Sequence, residues 1–258
     1  MINLIPMAGK GIRFKQEGYN LPKPFIPIMG MPMFIAAINS FPPSERQIIL
    51  CQKDFIERYS FKKTTMKYLP NCKIISVNGT TEGQASTCLL AENELISDEP
   101  ITISSCDYQL VYDQKKYEKL IKDNKVDVIV WTFEIGQILK KNPKAFAYCK
   151  TEGQKVTNII EKQLISRTPQ FDAAVVGTFT YRRASDFIFS AKKMIKKNIR
   201  VNGEFYVGTS INQLIELGKN VVIFPVKKFI SFGDPFELQL YQYWEDFFFL
   251  EEQHPYRG

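Results

Sequence analysis

The sequence predicts an α/β fold built on a mixed, mainly parallel sheet, and three observations carry that expectation. Short β-rich runs alternate with helical patterns through the first half, a βαβ rhythm that implies right-handed crossovers between parallel strands. The runs are apolar at almost every position, as strands buried on both faces are. Beyond residue 146 the rhythm loosens and β-rich runs follow one another, so an antiparallel part is expected there.

Taken in order, strands are expected at 3–7, 47–52, 73–77, 101–105 and 126–132, with helices between them at 33–40, 54–67, 84–95 and 115–123. The later half reads as strands at 146–150, 156–161, 173–181 and 221–225, with helices at 184–197, 208–217 and 235–249. No internal repeat and no Pro/Gly/Ser-rich linker divides the chain, so residues 1–258 are expected to form a single domain. In such sheets ligands bind beyond the carboxyl ends of the strands, and the informative loops begin where strands stop.

Composition narrows the function classes. The 258 residues are 45% hydrophobic and 24% charged, without a low-complexity tract, as in ordinary globular proteins. Neither a leader-like amino terminus nor a run of about 18 apolar residues is present, and a cytoplasmic location is expected, with no membrane partner. Cys51, Cys72, Cys88, Cys106 and Cys149 are far apart and odd in number, which fits reduced core thiols. The formal charge of +7 comes from dispersed lysines, including the pairs Lys115–Lys116, Lys140–Lys141, Lys192–Lys193 and Lys196–Lys197. Such pairs mark solvated helix faces, and a basic surface suits small anionic substrates, so no nucleic-acid partner is expected. With His254 as its one histidine, the chain has little material for Ser-His-Asp chemistry or a His-rich zinc site.

The stretch "PMAGKGIRFKQEGYNLPKPF" follows the first strand. Gly9 and Gly11 can take positive φ and turn backbone N–H groups toward a ligand, while Lys10, Arg13 and Lys23 supply charge, which together make a polyphosphate cradle. The Walker pattern is absent, because Ile12 follows Gly11. The dinucleotide fingerprint fails as well: Phe14 holds the third glycine position, and Gln52 and Lys53 end the second strand without an acid.

"LIPMAGKGIRFKQEGYNLPKPFIPIMGMPMF" resembles the opening of the nucleotidyltransferase family, with its A-G-x-G-x-R loop followed by P-K-P. That resemblance implies a Rossmann-like three-layer nucleotidyltransferase fold. It also implies that Ala8, Gly9, Gly11 and Arg13 cradle a nucleoside triphosphate, and that Lys23 reaches both reacting phosphates. Many members carry Ser or Thr where this chain has Ile12. In "NGTTEGQASTCLLAENEL" the resemblance assigns Asn78 and Gly83 to the nucleobase, while the residues alone suggest Thr80 or Thr81 capping a helix with Glu82 in its first turn.

Asp107 ends the apolar run "PITISSCD". A lone acid there is commonly a cap or loop residue. A triphosphate, however, needs a hard, oxygen-ligated cation, and the resemblance places a Mg²⁺-binding aspartate at this strand end. The usual second aspartate would stand at Ser231 in "KKFISFGDPFELQLYQYW", and Asp234 is taken as its shifted substitute, with capping of the helix opened by Pro235 as the alternative. "VTNIIEKQ" is similar to the family's E-K-P element, so Glu161 and Lys162 are expected at the acceptor, as is Glu204 in "NGEFYVGTSINQLI". Tyr206, Arg182 and Arg183 are secondary candidates around that pocket. Arg13, Lys23 and Asp107 would be catalytic. The length and first-loop wording look closer to small members found among bacterial capsule enzymes. This implies CTP as donor and L-glutamine phosphate as acceptor, with sugar 1-phosphates as the alternative. The aromatic run "YQYWEDFFFL" is expected in the core, with a homodimer contact as the other option.

Overall fold

The computed structural model describes residues 1–96, 98–134 and 143–251, so Lys140–Lys141 and His254 lie outside the described residues. In chain order the elements are β1 (Ile2–Met7), α1 (Ile12–Gln16), β2 (Pro27–Ile28), β3 (Met31–Pro32), α2 (Met33–Ile38) and β4 (Arg46–Gln52). Then come α3 (Lys53–Arg58), α4 (Phe61–Tyr68), β5 (Cys72–Val77), α5 (Gln84–Leu89), β6 (Ile101–Ile103), β7 (Tyr108–Val111), α6 (Gln114–Lys122) and β8 (Val128–Phe133). The remainder are β9 (Ala147–Glu152), β10 (Lys155–Glu161), β11 (Ala173–Tyr181), α7 (Ala184–Lys196), α8 (Val207–Ile215), β12 (Val221–Pro225), β13 (Lys228–Ser231) and α9 (Pro235–Leu250).

A nine-stranded mixed sheet, in the order β5-β4-β1-β6-β11-β8-β12-β10-β9, forms the centre of an α/β fold. β5, β4, β1 and β6 are mutually parallel, and β8 pairs parallel with β12. β11 runs against β6, β8 and β9, and β10 runs against β12 and β9. From β1 the chain moves to β4 on one side and to β6 on the other. That reversal opens a crevice between their carboxyl ends.

Side chains alternate between two buried faces. Ile2 and Leu4 of β1, Ile48 and Leu50 of β4, and Val128 and Val130 of β8 pack on one face with Phe187 and Met194 of α7 and Ile211 and Leu214 of α8. Ile5, Met7, Ile49, Cys51, Ile129 and Trp131 face the other layer, where Phe34 and Ile38 of α2, Phe61 of α4 and Tyr117 of α6 cover them. Both faces being buried explains the apolar character of consecutive strand residues. All five cysteines are buried and free.

Several expectations are corrected. The single helix at 54–67 is two, α3 and α4, separated by Ser60 at φ 49°. Tyr59 and Phe61 both pack on the Phe25 ring, at 5.4 and 5.6 Å between centroids, and residues two apart cannot share one face of a continuous helix. The helix expected at 84–95 ends at Leu89, and Gly83 rather than a threonine occupies its N-cap position. The aromatic run is not core: in α9 Tyr243 is 63% exposed and Phe249 73%, while Leu238 is fully buried. Two short antiparallel ladders, β2–β3 and β7–β13, correspond to no expected strand. The second pairs Tyr108 with Ser231, and so holds the residues beside each of them at a fixed separation.

A third, smaller cluster lies beneath the cationic loop, where Phe14, Ile28, Met33, Phe232 and Leu238 pack together. It clamps α1 between α2 and the start of α9. Met31 packs on both this cluster and the larger one. Within the larger one, Phe34 is fully buried between Phe25 and Phe61 at ring distances of 6.0 and 5.5 Å. Phe34→Ala is expected to cost about 3–5 kcal/mol of stability through the cavity it leaves, read from the urea midpoint at unchanged m-value.

Candidate functional site

A cavity of about 890 Å³ opens at the crevice between β1 and β6 and runs on toward β10. Its lining includes Ala8, Gly9, Gly11, Arg13, Lys23, Gly83, Asp107, Glu161, Lys162 and Glu204, with Tyr206 beside them. Sequence positions separated by up to two hundred residues therefore meet in one space of substrate size. Asn78 and Asp234 are not among the lining residues. Arg182 is engaged elsewhere: its guanidinium donates to the carbonyls of Val126 at 2.7 Å and Ile121 at 3.2 Å, tying down the end of α6.

The wall after β1 is built by close backbone approach. Gly11 sits at φ 60°, the left-handed region, and a Cβ on it would stand 3.3 Å from the Lys23 Cβ. Only glycine accepts both conditions cheaply. Gly9 is not at positive φ and has open space where a side chain would be. Gln52 at the end of β4 donates to the Ala8 carbonyl at 2.6 Å and holds the turn. Ile12 lines the cavity and is 55% exposed.

Lys23 is the hub of this end. Its ammonium donates to Asp107 Oδ2 and, at 2.9 Å, to the Gly233 carbonyl, and lies 5.7 Å from the Phe14 ring centre. Burial works against the Lys23 charge, but the Asp107 carboxylate outweighs it and raises the ammonium above its ordinary value. Burial likewise opposes the Asp107 charge, and Lys23 prevails in holding that carboxyl below the usual range. Ser105, which no sequence pattern singles out, donates to Asp107 Oδ1 at 2.5 Å and sets the carboxylate's rotation. Burial pushes the neighbouring Cys106 thiol up to about 12, so it stays protonated.

Another wall comes from the loop after β5. Gly83 stands at φ 124°, and a Cβ there would come within 2.6 Å of the Phe205 backbone. The close approach that this glycine permits is therefore that of Phe205. Phe205 N–H donates to the Glu82 carbonyl at 2.8 Å, and Ala85 N–H to the Phe205 carbonyl at 3.0 Å. Thr81 and Thr87 hydroxyls both donate to the Gly83 carbonyl at 3.1 Å.

The far end is set by register. β11 pairs Phe179 with Ile103 of β6, so Val175 lies beyond the end of β6. β9 meets β11 at Ala174 and Tyr148, and Ala147 pairs with Glu161. Glu161 is buried, its Oε1 only 2.5 Å from where a Cβ on Gly208 of α8 would stand. Burial raises its carboxyl to about 7, with Lys162 pulling the other way. Lys162 adopts φ 57° and bonds through its ammonium to the Ala145 carbonyl, 5.8 Å from the Tyr206 ring centre. Burial, together with Arg13, depresses the Lys162 ammonium against the upward pull of Glu161 and Glu204. Arg13 also disfavours the charge on Lys23, so it acts electrostatically on both lysines.

The Asp107 carboxylate is the kind of oxygen donor that a hard cation takes, and here its Oδ2 is bonded to Lys23 and its Oδ1 to Ser105. A Cβ on Gly233 would stand 3.1 Å from Asp107 Oδ2 and 3.4 Å from the Ser231 hydroxyl, so glycine there keeps this corner open. Among the described residues no three acidic, cysteine or histidine side chains converge as a closed cage.

Neither a family model nor a curated relative matches the chain. Solved structures do. A nucleoside-diphosphate-sugar pyrophosphorylase from Vibrio cholerae RC9 superposes with a TM-score of 0.76 at 23% identity, covering 93% of this chain and 99% of that one. The inositol-1-phosphate CTP transferase from T. maritima gives 0.71 at 12% identity, with 93% of each chain covered. A UDP-glucose pyrophosphorylase complexed with UDP-glucose gives 0.68 at 17% identity, covering 95% and 98%. The chain therefore shares the three-layer fold of these proteins along nearly its whole length. Among the described residues no helix is long and apolar enough to cross a membrane.

The buried Glu161 carboxyl makes stability pH-dependent. Between about 4.5 and 7 the folded chain retains a proton at Glu161 that the unfolded chain has released. Its contribution is complete below that window and is lost as pH rises through it. Glu161→Gln is therefore expected to be more stable than the wild type at pH 8, by up to about 3 kcal/mol, and equal to it near pH 4, measured by urea denaturation across pH.

Proposed function

We propose that the chain is a nucleotidyltransferase, moving a nucleotidyl group from a nucleoside triphosphate to a phosphorylated small-molecule acceptor and releasing pyrophosphate. The observation that carries this is one cavity lined both by a glycine-backed loop with Arg13 and Lys23 and by Lys162 with two carboxylates, Glu161 and Glu204. An oxygen of the acceptor phosphate attacks the α-phosphorus, and the bond from that phosphorus to the β-phosphate oxygen breaks. The attacking phosphate is already ionised at neutral pH, so no histidine base is needed. The Gly11 loop and Arg13 hold the triphosphate, and Lys23 leaves Asp107 for the phosphates as charge builds on them. Mg²⁺, held at Asp107, would draw charge from the phosphate oxygens during the displacement. Lys162 binds the acceptor phosphate, with Glu161 and Glu204 facing the rest of the acceptor.

For the substrates, we assign CTP and L-glutamine phosphate, the reaction of a CTP:phosphoglutamine cytidylyltransferase acting in capsular polysaccharide modification, in the cytoplasm. The wording of the first loop supports it, as do two carboxylates able to receive the acceptor's ammonium. A sugar 1-phosphate is the second reading, favoured by the sugar-nucleotide enzymes among the structural neighbours. Two copies meeting at the exposed aromatic face of α9 would make a homodimer.

The decisive assay measures pyrophosphate with Mg²⁺, each of the four triphosphates and a panel of phosphorylated acceptors. Release is expected with CTP and L-glutamine phosphate; release only with sugar 1-phosphates selects the second reading, and none with any pair rejects nucleotidyl transfer. Lys23→Ala should lower kcat by about 10²–10³ while the circular dichroism spectrum stays folded, and an unchanged kcat would remove Lys23 from the chemistry.

A further inference from the structure

β10 has to end in a defined place, because Glu161 closes it and Lys162 follows. The sheet alone does not fix that end on the β12 side. The ladder between β10 and β12 is a single pair, Lys155 with Val222, and the register of β10 against β9 shifts between Val156 and Asn158. Past that irregularity a side chain takes over. Asn212 of α8 accepts the Ile159 N–H at 2.8 Å through Oδ1 and donates through Nδ2 to the Ile159 carbonyl, also at 2.8 Å. One carboxamide thus satisfies both backbone groups of a residue, as an opposing strand residue does in an antiparallel ladder.

Asparagine favours caps and turns over helix interiors, yet Asn212 stands within α8 among the buried Ile211, Gln213 and Leu214. The two bonds to Ile159 explain its place. Gly208, one turn earlier on the same face, has its own contact with β10: a Cβ there would stand 2.5 Å from Glu161 Oε1 and 3.3 Å from Ile159 Cγ2. Ile159 and Glu161 are two apart and share one side of the strand. α8 also begins directly after Glu204 and Tyr206, and its Ser210 N–H donates to the Tyr206 carbonyl at 3.2 Å. Burial first, then Glu204 and Glu161, push the Tyr206 hydroxyl up, so the three groups are electrostatic neighbours. We propose that Asn212 is a positioning residue of the cavity: by binding both backbone groups of Ile159 it docks β10 on α8, and so sets where Glu161 stands relative to Glu204 and Tyr206.

The acceptor role of these residues rests on the nucleotidyl-transfer reading, whereas the first test needs no turnover. The full chain is labelled with ¹³C at its glutamate carboxyls, and the Glu161 signal, identified by its loss in Glu161→Gln, is titrated by nuclear magnetic resonance. In the wild type its midpoint is expected near 7, raised from 4.5 by burial. Asn212→Ala should lower it by about one unit or more, because β10 comes away from α8 and water reaches the carboxyl. Asn212→Ser, too short to bond both groups, serves where a thermal melt shows the alanine variant unfolded. Thr157→Ala, which removes an exposed bond from the same strand to the Lys150 carbonyl, should leave the midpoint in place. With the acceptor that supports pyrophosphate release, Asn212→Ala should raise the acceptor KM by about tenfold and leave the triphosphate KM within about twofold. A wild-type midpoint at the ordinary carboxyl value, an unmoved midpoint in the position 212 variants, an equal shift in Thr157→Ala, or an equal rise in both KM values overturns the proposal. Absent pyrophosphate release together with the expected midpoints would sink the enzymatic reading and leave the docking role of Asn212 standing.

Discussion

The contact between Lys23 and Asp107 organises the rest of the site. One partner comes from the segment after the first glycine loop, the other from the end of β6, and the Gly233 carbonyl completes the ammonium's coordination. Three chain segments, from the start, the middle and the end of the sequence, are thus held at one point. Two charges in a partly enclosed cleft stabilise little once their lost hydration is counted. Their value lies in pre-organisation, since each holds the other ionised in the place where a polyphosphate and its cation would need them. The packing beneath reflects this demand. Phe14 is buried under the loop, and Phe232 and Leu238 meet it from the other side, so the cationic wall rests on a small core of its own.

Both signs of charge line the cavity: Lys23, Arg13 and Lys162 share it with Asp107, Glu161 and Glu204. The two carboxylates at the far end behave differently. Glu161 lies against the start of α8, where burial raises its carboxyl to about 7, so its charge near neutral pH depends on what fills the cavity. A ligand carrying an ammonium or hydroxyl donors would favour the ionised form, whereas an apolar group would favour the neutral one. Selectivity at this end is therefore electrostatic as much as steric.

Much of this is legible in the sequence, and the remainder is hidden for definite reasons. β11 and β12 match their expected ranges at both ends, because continuous apolar runs bounded by polar turns leave little ambiguity. Arg13, Lys23, Asp107 and Lys162, which the resemblance singles out, all line the one cavity. The features that escape a sequence reading depend on partners far along the chain. β7 and β13 are four residues each and form only because they pair across more than a hundred positions. Ser105 bonds Asp107 just ahead of that ladder, and it does not stand in a pattern that marks it. The aromatic residues of α9 mislead for the opposite reason. Apolar composition suggests core, but a helix with aromatics at 247, 248 and 249 presents them around its whole circumference, and one layer of neighbours cannot cover that.

The two ends of the cavity are also one mechanical unit. Phe205 is stitched to the loop at Gly83 by two backbone hydrogen bonds, and it is flanked by Glu204 and Tyr206, which line the cavity. Arg200 stacks on the Phe205 ring at 4.0 Å and bonds Glu82 at 2.7 Å, closing the same joint from outside. The loop at Gly83 and the Phe205 backbone are packed so closely that a Cβ's width already separates contact from collision. Exposed ion pairs such as Arg200–Glu82 contribute little stability by themselves. Here the backbone bonds set the distance and the guanidinium stacked on Phe205 covers the joint, so the two loops that line the cavity are held to each other by local contacts alone.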